Sequence, residues 1–429
     1  MNRLSKIILT VFMLFFSCVH IQAYEPIDLE QRIERMEREV NNLQSSNYFL
    51  FSERNRLRIG GHIQTQFQWG EKDALLGVGA PNENLERSFN RFGIREGQIS
   101  IFFQDGIVLT NFQLDMTERA IGVRNAFLQL SDPVWGTNSL RTGIFILPFG
   151  HELVYASASR QSPDRSAIVQ DLFPGVRDLG AVVNLRAPWG SRWSVLQLNA
   201  GLVAGNGRNM QTSSQMDFVG RLSVGRVHFP GATFTGGFSY YRGGVFQGTE
   251  NVFTMCENRF VENNSLNNRG RYAKREYFGF DLQAVFTTGI GLTQIKTEYI
   301  FGQQPGREDL SASWSANIRP AHDTFIRPMR GGYVMLVQEL GVRSPFSVVL
   351  KYDWYNPNTA VSGNDIGIDG THTYIADLTR TAFGFGLLWN ATRNVRMTAY
   401  YELVRMETST HIDRDFRGDS FTLRLQYRF

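Results

Sequence analysis

The sequence predicts an all-β protein: an antiparallel transmembrane β-barrel of about sixteen strands, preceded by a short α-helical coiled coil. Three observations carry that expectation. Segments of roughly ten residues alternate apolar and polar side chains with period two. Connections alternate long and short along the chain. No window after the leader reaches the roughly eighteen apolar residues that a membrane helix needs. Composition agrees, because 33 Phe and 15 Tyr sit in a chain whose mean hydropathy is negative. Large apolar residues in a polar average are the mark of alternation, not of continuous apolar runs.

Arg3 and Lys6 precede an apolar run from Ile7 to Val19, closed by Ile21-Gln22-Ala23. This is the three-part layout of a secretory signal peptide, and it is too short to span a bilayer. Residues 1–23 are expected to be removed after Ala23. The alternative is lipidation at Cys18 after Ser17, to which Phe15 is poorly suited. Residues 24–49 follow as a coiled-coil segment on the periplasmic side. Leu29, Ile33, Met36, Val40 and Leu43 are spaced 4, 3, 4, 3, with Glu30, Arg32, Glu34, Arg35, Glu37, Arg38 and Glu39 between them. That is an a/d ladder with a solvated mixed-charge surface. Its few heptads are marginal alone, so it would add to an oligomer held mainly elsewhere. The competing reading packs one amphipathic helix on its own barrel.

Residues 50–429 are read as the barrel. Leu57, Ile59, Ile63, Thr65, Phe67 and Trp69 alternate with Arg58, His62, Gln64, Gln66 and Gln68. The last strand repeats the pattern, with Phe421, Leu423, Leu425, Tyr427 and Phe429 against Thr422, Arg424, Gln426 and Arg428. Long connections are expected at 70–90, 147–177, 205–215, 243–275, 303–331, 357–380 and 407–418, with a modest one at 117–122. Short turns fall between them, and the rhythm gives sixteen strands with both ends on the short-turn side. Outer-membrane barrels show this asymmetry and an even strand number, whereas a soluble sandwich has no reason to gather its long loops at one end. The closing Phe429 resembles the C-terminal signal that such barrels present to their assembly machinery.

Other classes find little support. With Cys18 in the leader, Cys256 stands alone and no disulfide framework follows. The formal charge is +4 and no Arg/Lys block resembles a nucleic-acid arm. Seven His occur, but His62, His151, His322 and His372 stand in no recognisable catalytic or metal spacing. No enzyme, metal or cofactor is expected.

Gly143-Ile144-Phe145-Ile146-Leu147-Pro148-Phe149-Gly150, followed by Pro174-Gly175-Val176-Arg177-Asp178-Leu179-Gly180, resembles the phosphate-selective porin family, porins O and P. So do Gly201 to Gly207 and the run Tyr352-Asp353-Trp354-Tyr355-Asn356-Pro357-Asn358. The likeness covers residue 57 to the C-terminus. It implies a homotrimer in outer-membrane lipid, with the third outside loop, here 147–177, folded inward to narrow each pore. It also implies passage of small anions, phosphate among them, or of other hydrophilic solutes.

A barrel of this size encloses a water-filled channel, so inward side chains set its selectivity. By parity with their apolar neighbours, Arg58, Arg141, Arg221, Arg396, Arg424 and Arg428 are expected to line the pore. Glu298, Asp353 and Glu402 share that surface. Arg160, Arg165 and Arg177 are the constriction-loop candidates. Arginine stays charged and its planar fork suits carboxylate and phosphate oxygens, which gives a mild anion preference. Residues 147–177 contain no Lys, and their three Arg balance Glu152, Asp164 and Asp171. The expected function is therefore a passive diffusion channel with mild anion preference. A plugged barrel serving adhesion or envelope tethering is the rival.

Overall fold

The computed structural model describes residues 49–50, 56–188, 190–209, 211, 214–311 and 322–429. The leader and the heptad segment lie outside the described residues, apart from Phe49. With Leu50 it forms a two-residue strand opposite Ile59 and Arg58, where the coiled coil had been expected to extend.

Sixteen strands build the barrel wall. The first four are β1 (Leu57–Gly70), β2 (Phe89–Asp105), β3 (Val108–Met116) and β4 (Ile121–Ser131). Then come β5 (Ser139–Ile146), β6 (Arg177–Arg186), β7 (Leu196–Val203) and β8 (Asp217–Phe229). The longest stretch of wall is β9 (Ala232–Phe246), β10 (Tyr272–Thr288), β11 (Gly291–Gly306) and β12 (Thr324–Glu339). The wall ends with β13 (Phe346–Asn356), β14 (Arg380–Asn390), β15 (Val395–Met406) and β16 (Ser420–Arg428). Each strand pairs antiparallel with the next, and β16 returns to β1 from Ser420 opposite Gly70 to Arg428 opposite His62. Closure leaves no edge strand in the ring, so the wall presents no open sheet edge.

The expected all-β, sixteen-strand antiparallel barrel is the one observed. Short turns at 106–107, 230–231 and 289–290 share one end, and the long connections 71–88, 147–176, 247–271 and 357–379 share the other. The sequence rhythm errs in one respect. Strands β9 to β12 continue four to eight residues further toward the long loops than expected, because the backbone ladder persists where the apolar alternation fades. Loop 247–271 also holds a hairpin, Asn251–Cys256 with Arg259–Asn264, whose first strand runs parallel to the start of β12.

Polarity is inverted relative to a soluble barrel. His62, Gln64, Gln66 and Gln68 of β1 are buried, whereas Leu57, Ile59 and Ile63 are exposed. On β16, Thr422, Arg424 and Gln426 are buried while Leu423, Leu425 and Tyr427 face outward. The ladder shifts register at three points, one of them between Phe234 and Gly236 of β9, and at the other two an arginine is the extra residue. Arg95 is the extra residue of β2 opposite Gln64 and Thr65, and Arg124 is the extra residue of β4 opposite Gln113 and Leu114. A bulge re-aims one side chain, and at Arg95 and Arg124 the re-aimed side chain is an arginine.

The largest apolar cluster lies inside the ring. Loop 147–176 contains the helix α1 (Ala167–Leu172) and packs Phe149, Leu153, Ile168, Leu172 and Phe173 against Val219, Tyr241, Tyr277, Ile300 and Met329 of the wall. Burying each such side chain contributes about 1.5–3 kcal/mol. That exceeds the roughly 1 kcal/mol net of a single loop-to-wall hydrogen bond, so the apolar face fixes where the loop sits.

The loop is entered through Gly143, whose φ is +121° and whose missing Cβ would collide with the Ala126 carbonyl oxygen. Gly143→Val is expected to cost about 1–3 kcal/mol, read as a lower urea midpoint of the folded barrel. An unchanged midpoint would show that β5 relaxes around the side chain.

Candidate functional site

The inner face of the barrel and the loop that crosses it form the candidate site. Loop 147–176 is held from several sides. Gly150 N–H donates to Ser239 Oγ at 2.9 Å, and the N–H groups of His151 and Glu152 donate to Glu298 Oε2 at 3.0 and 2.8 Å. Lys296 Nζ reaches the Tyr155 hydroxyl and Gln161 Oε1, both at 3.0 Å. Lys351 pairs with Glu152 at 2.9 Å, and Ser166 N–H caps the same carboxylate at 2.9 Å. These contacts attach the loop to β9, β11 and β13.

The far side is held by three of the expected arginines together with Gln426 and Arg95. Arg396, Arg428 and Gln426 donate to the Ala158 carbonyl, the last at 3.0 Å. Arg424 joins the Pro163 carbonyl at 2.9 Å and Gln66 Oε1. Arg95 pairs with Asp164 at 2.8 Å. The loop thus spans the lumen from β9–β13 to β15, β16 and β2.

All six wall arginines named from parity lie on the inner face. Arg221 pairs with Asp281 at 2.9 Å, and Arg141 donates to Gln129 Oε1 at 3.0 Å beside the Phe127 ring. Arg58 stands 5.8 Å from the Phe102 ring centroid near the short-turn end. Of the loop candidates, Arg160 is buried and Arg165 Nε donates to the Glu152 carbonyl at 3.2 Å. Arg177 belongs to β6, not to the loop, and donates to Asn125 Oδ1 at 2.7 Å and Gln113 Oε1 at 3.1 Å. The strand begins there because Arg177 already pairs in register with Ile146.

Parity missed several residues. Arg95 and Arg124 sit in bulges, where the alternation breaks and no period-two count can aim them. Arg124 bridges Glu96 at 2.9 Å and Asp115 at 2.8 Å. Lys296 and Lys351 were legible: each lies two residues before an inward carboxylate, Glu298 and Asp353, and so shares its face. They supply from the wall the lysines that the loop itself lacks.

Within the loop, electrostatics follow burial and partner. Burial pushes Asp164 upward, but Arg95 and Arg424 outweigh it and hold the carboxyl below the usual range. Burial likewise opposes ionisation of Glu152, and Lys351 with Ser166 overcomes it. Burial, with Arg160 second, pushes Arg165 down to about 9. Asp171 lacks such compensation, and burial raises it to about 6 despite Arg380 and Ser311.

No protein-family model matches the chain, and no curated protein matches it in sequence. Among solved structures the chain is similar to OmpF of Salmonella typhi in complex with daunomycin, at 13% identity and TM-score 0.56, over 89% of this chain and 99% of that one. It is similar to OprB of Pseudomonas putida in a high-pH structure, at 8% identity and TM-score 0.52, over 86% and 94%. It is also similar to the outer membrane channel DcaP of Acinetobacter baumannii, at 11% identity and TM-score 0.51, over 89% and 99%. At these identities the likeness is one of fold.

His151 makes the loop acid-sensitive. Burial, then Lys296 and Arg221, hold its imidazole well below the ordinary 6.5. The unfolded chain therefore binds a proton that the folded loop refuses, and stability is lost as pH falls below 6.5. Asp171 acts oppositely: its contribution is full below 3.8 and is lost as pH rises to about 6. His151→Asn is expected to flatten the acid-side loss and leave the Asp171 limb. The readout is the temperature of the heat-dependent gel shift above and below pH 6.5. Identical profiles for the two proteins would mean that His151 protonates freely in the fold.

Proposed function

We propose that the chain is a passive diffusion channel of the Gram-negative outer membrane that carries small hydrophilic solutes with a mild preference for anions. The observation that carries it is the inverted polarity of a closed sixteen-strand ring, apolar outward and charged inward. Such a surface matches hydrocarbon outside, and a ring of this size has room for water inside. Anion preference rests on how charges are spent. Glu152 and Asp353 meet Lys351, Asp281 meets Arg221, and Glu298 accepts two loop N–H groups. The wall from β1 to β6 carries Arg58, Arg124, Arg141 and Arg177 among neutral amides, with Glu96, Asp115 and Asp178 as its nearby carboxylates.

The finer expectations belong here as well. Loop 147–176 is the constriction, its arginines Arg160 and Arg165 face the passage together with Arg177, and the assembly is a homotrimer whose heptad segment hangs in the periplasm. The motif resemblance adds phosphate to the solutes. Phe429 would serve recognition by the assembly machinery; its backbone pairs with Gly61 in both directions at 3.0 Å. The second reading, a plugged barrel for adhesion or tethering, draws on the loop's attachment to opposite walls.

Single-channel recording in a planar bilayer under a salt gradient decides between them. Stepwise openings in threes with a reversal potential on the anion side are expected. Arg58→Ala with Arg141→Ala should move that potential toward zero, because each change removes a guanidinium from the inner face. No conductance from a heat-modifiable, folded barrel would sink the channel and favour the plug.

A further inference from the structure

The outer face of the wall is not uniform. The exposed large apolar residues of β4 to β7, such as Leu128, Leu140, Val183 and Leu198, are aliphatic, whereas β9 to β11 carry a continuous surface of rings. Two cross-strand rows build it: Phe238–Phe280–Tyr299 and, two residues nearer the long loops, Tyr240–Phe278–Phe301. Ring centroids lie 5.1 Å apart for Phe238 and Phe280, 5.0 Å for Tyr240 and Phe278, and 5.4 Å for Phe278 and Phe301. Aromatic rings collect where hydrocarbon meets headgroups, and bases just beyond them lie level with lipid phosphates. On the short-turn side of the rings, Leu282, Ile295, Val334 and Leu350 are exposed and suit acyl chains.

At β12 both rows change character. One continues from Tyr299 to Gly332 and Trp354, the other from Phe301 to Arg330 and Asn356. Tyr299 and Trp354 approach across Gly332, with centroids 6.5 Å apart. Arg330 stands beside them on the outer face, exposed, with no hydrogen bond or ion pair among the described residues. Arg242 of β9 is its counterpart, two residues beyond Tyr240 and also exposed. Glu276 lies opposite Arg242, but it already pairs with Lys274 and accepts the Tyr240 hydroxyl at 2.7 Å. Arg242, Lys274 and Arg330 against Glu276 leave two positive charges at this rim. A guanidinium fork suits phosphate oxygens. Strands β9 and β12 are three strand spacings apart, about 14 Å. A single phosphate does not span that gap, whereas two phosphates at the ends of a disaccharide do.

Resting on the outer-membrane reading above for which end faces outward, we infer that the arc from β9 to β12 binds a bisphosphorylated glycolipid of the outer leaflet. Arg242 and Arg330 each take one phosphate. The disaccharide lies over the Phe278 and Phe301 rings, and the acyl chains run down the aliphatic residues below.

The test titrates the folded protein in neutral detergent with diphosphoryl lipid A, and with the same lipid after both phosphates are removed. Native mass spectrometry counts the lipid bound. Wild type is expected to hold the phosphorylated form about tenfold tighter or more, the least that one charge-assisted hydrogen bond supplies. Arg330→Gln with Arg242→Gln should bring the two lipids to parity while the heat-dependent gel shift persists. Equal affinity for both lipids in wild type would overturn the site and leave rings that face lipid without selecting it. Displacement of the lipid by an equal concentration of inorganic phosphate would also overturn it, because the ligand would then be the free anion. Should the variant fail to fold, the wild-type ratio still decides. That ratio is independent of conductance, which reads the channel, so the two readings fail separately.

Discussion

Everything in this structure depends on the pairing of β16 with β1. In hydrocarbon no water is at hand for an open edge, and each unsatisfied backbone group costs several kcal/mol. The nine register pairs from Ser420–Gly70 to Arg428–His62 remove that edge. Once the ring is closed, side-chain parity is fixed around the whole wall, because a slip of one residue in any strand exchanges its inner and outer faces. The apolar exterior and the polar lumen are two consequences of one closure.

A closed ring of this size would be hollow, and the chain does not leave it so. The loop after β5 carries a compact apolar face, Phe149, Leu153, Ile168 and Leu172, which finds the aromatic and aliphatic residues of β8 to β12 inside the ring. That docking brings buried carboxylates of the loop and wall against Lys351, Arg221 and the loop backbone. Bulges aim Arg95 and Arg124 into the remaining side. The division of the lumen into an occupied, internally neutralised half and an amide-and-arginine half follows from where one apolar face could be buried.

The fold was legible because it rests on period two and on loop rhythm, both of which are local. Sixteen strands, their order and the crossing loop's bounds came to within one residue at Arg177. The ends of β9 to β12 were not legible, since hydrogen bonding there outlasts the hydrophobic contrast that marks a strand in sequence. The site was legible in part. Parity aimed Arg221 and Arg424 inward, but partners depend on which distant strand faces which, as with Arg424 and Gln66 at a separation of 358 residues. The bulge arginines were out of reach for a different reason: a bulge is the point at which the alternation used to read the wall stops.

The crossing loop has a mechanical meaning as well. A sixteen-strand cylinder resists bending along its strands far better than flattening across them. A segment bonded to Ser239, Glu298 and Lys351 on one wall and to Arg396, Arg424 and Arg428 on another acts as a tie rod. It fixes the cross-section from within, so the aperture beside it keeps its shape when the pressure of the surrounding lipid changes.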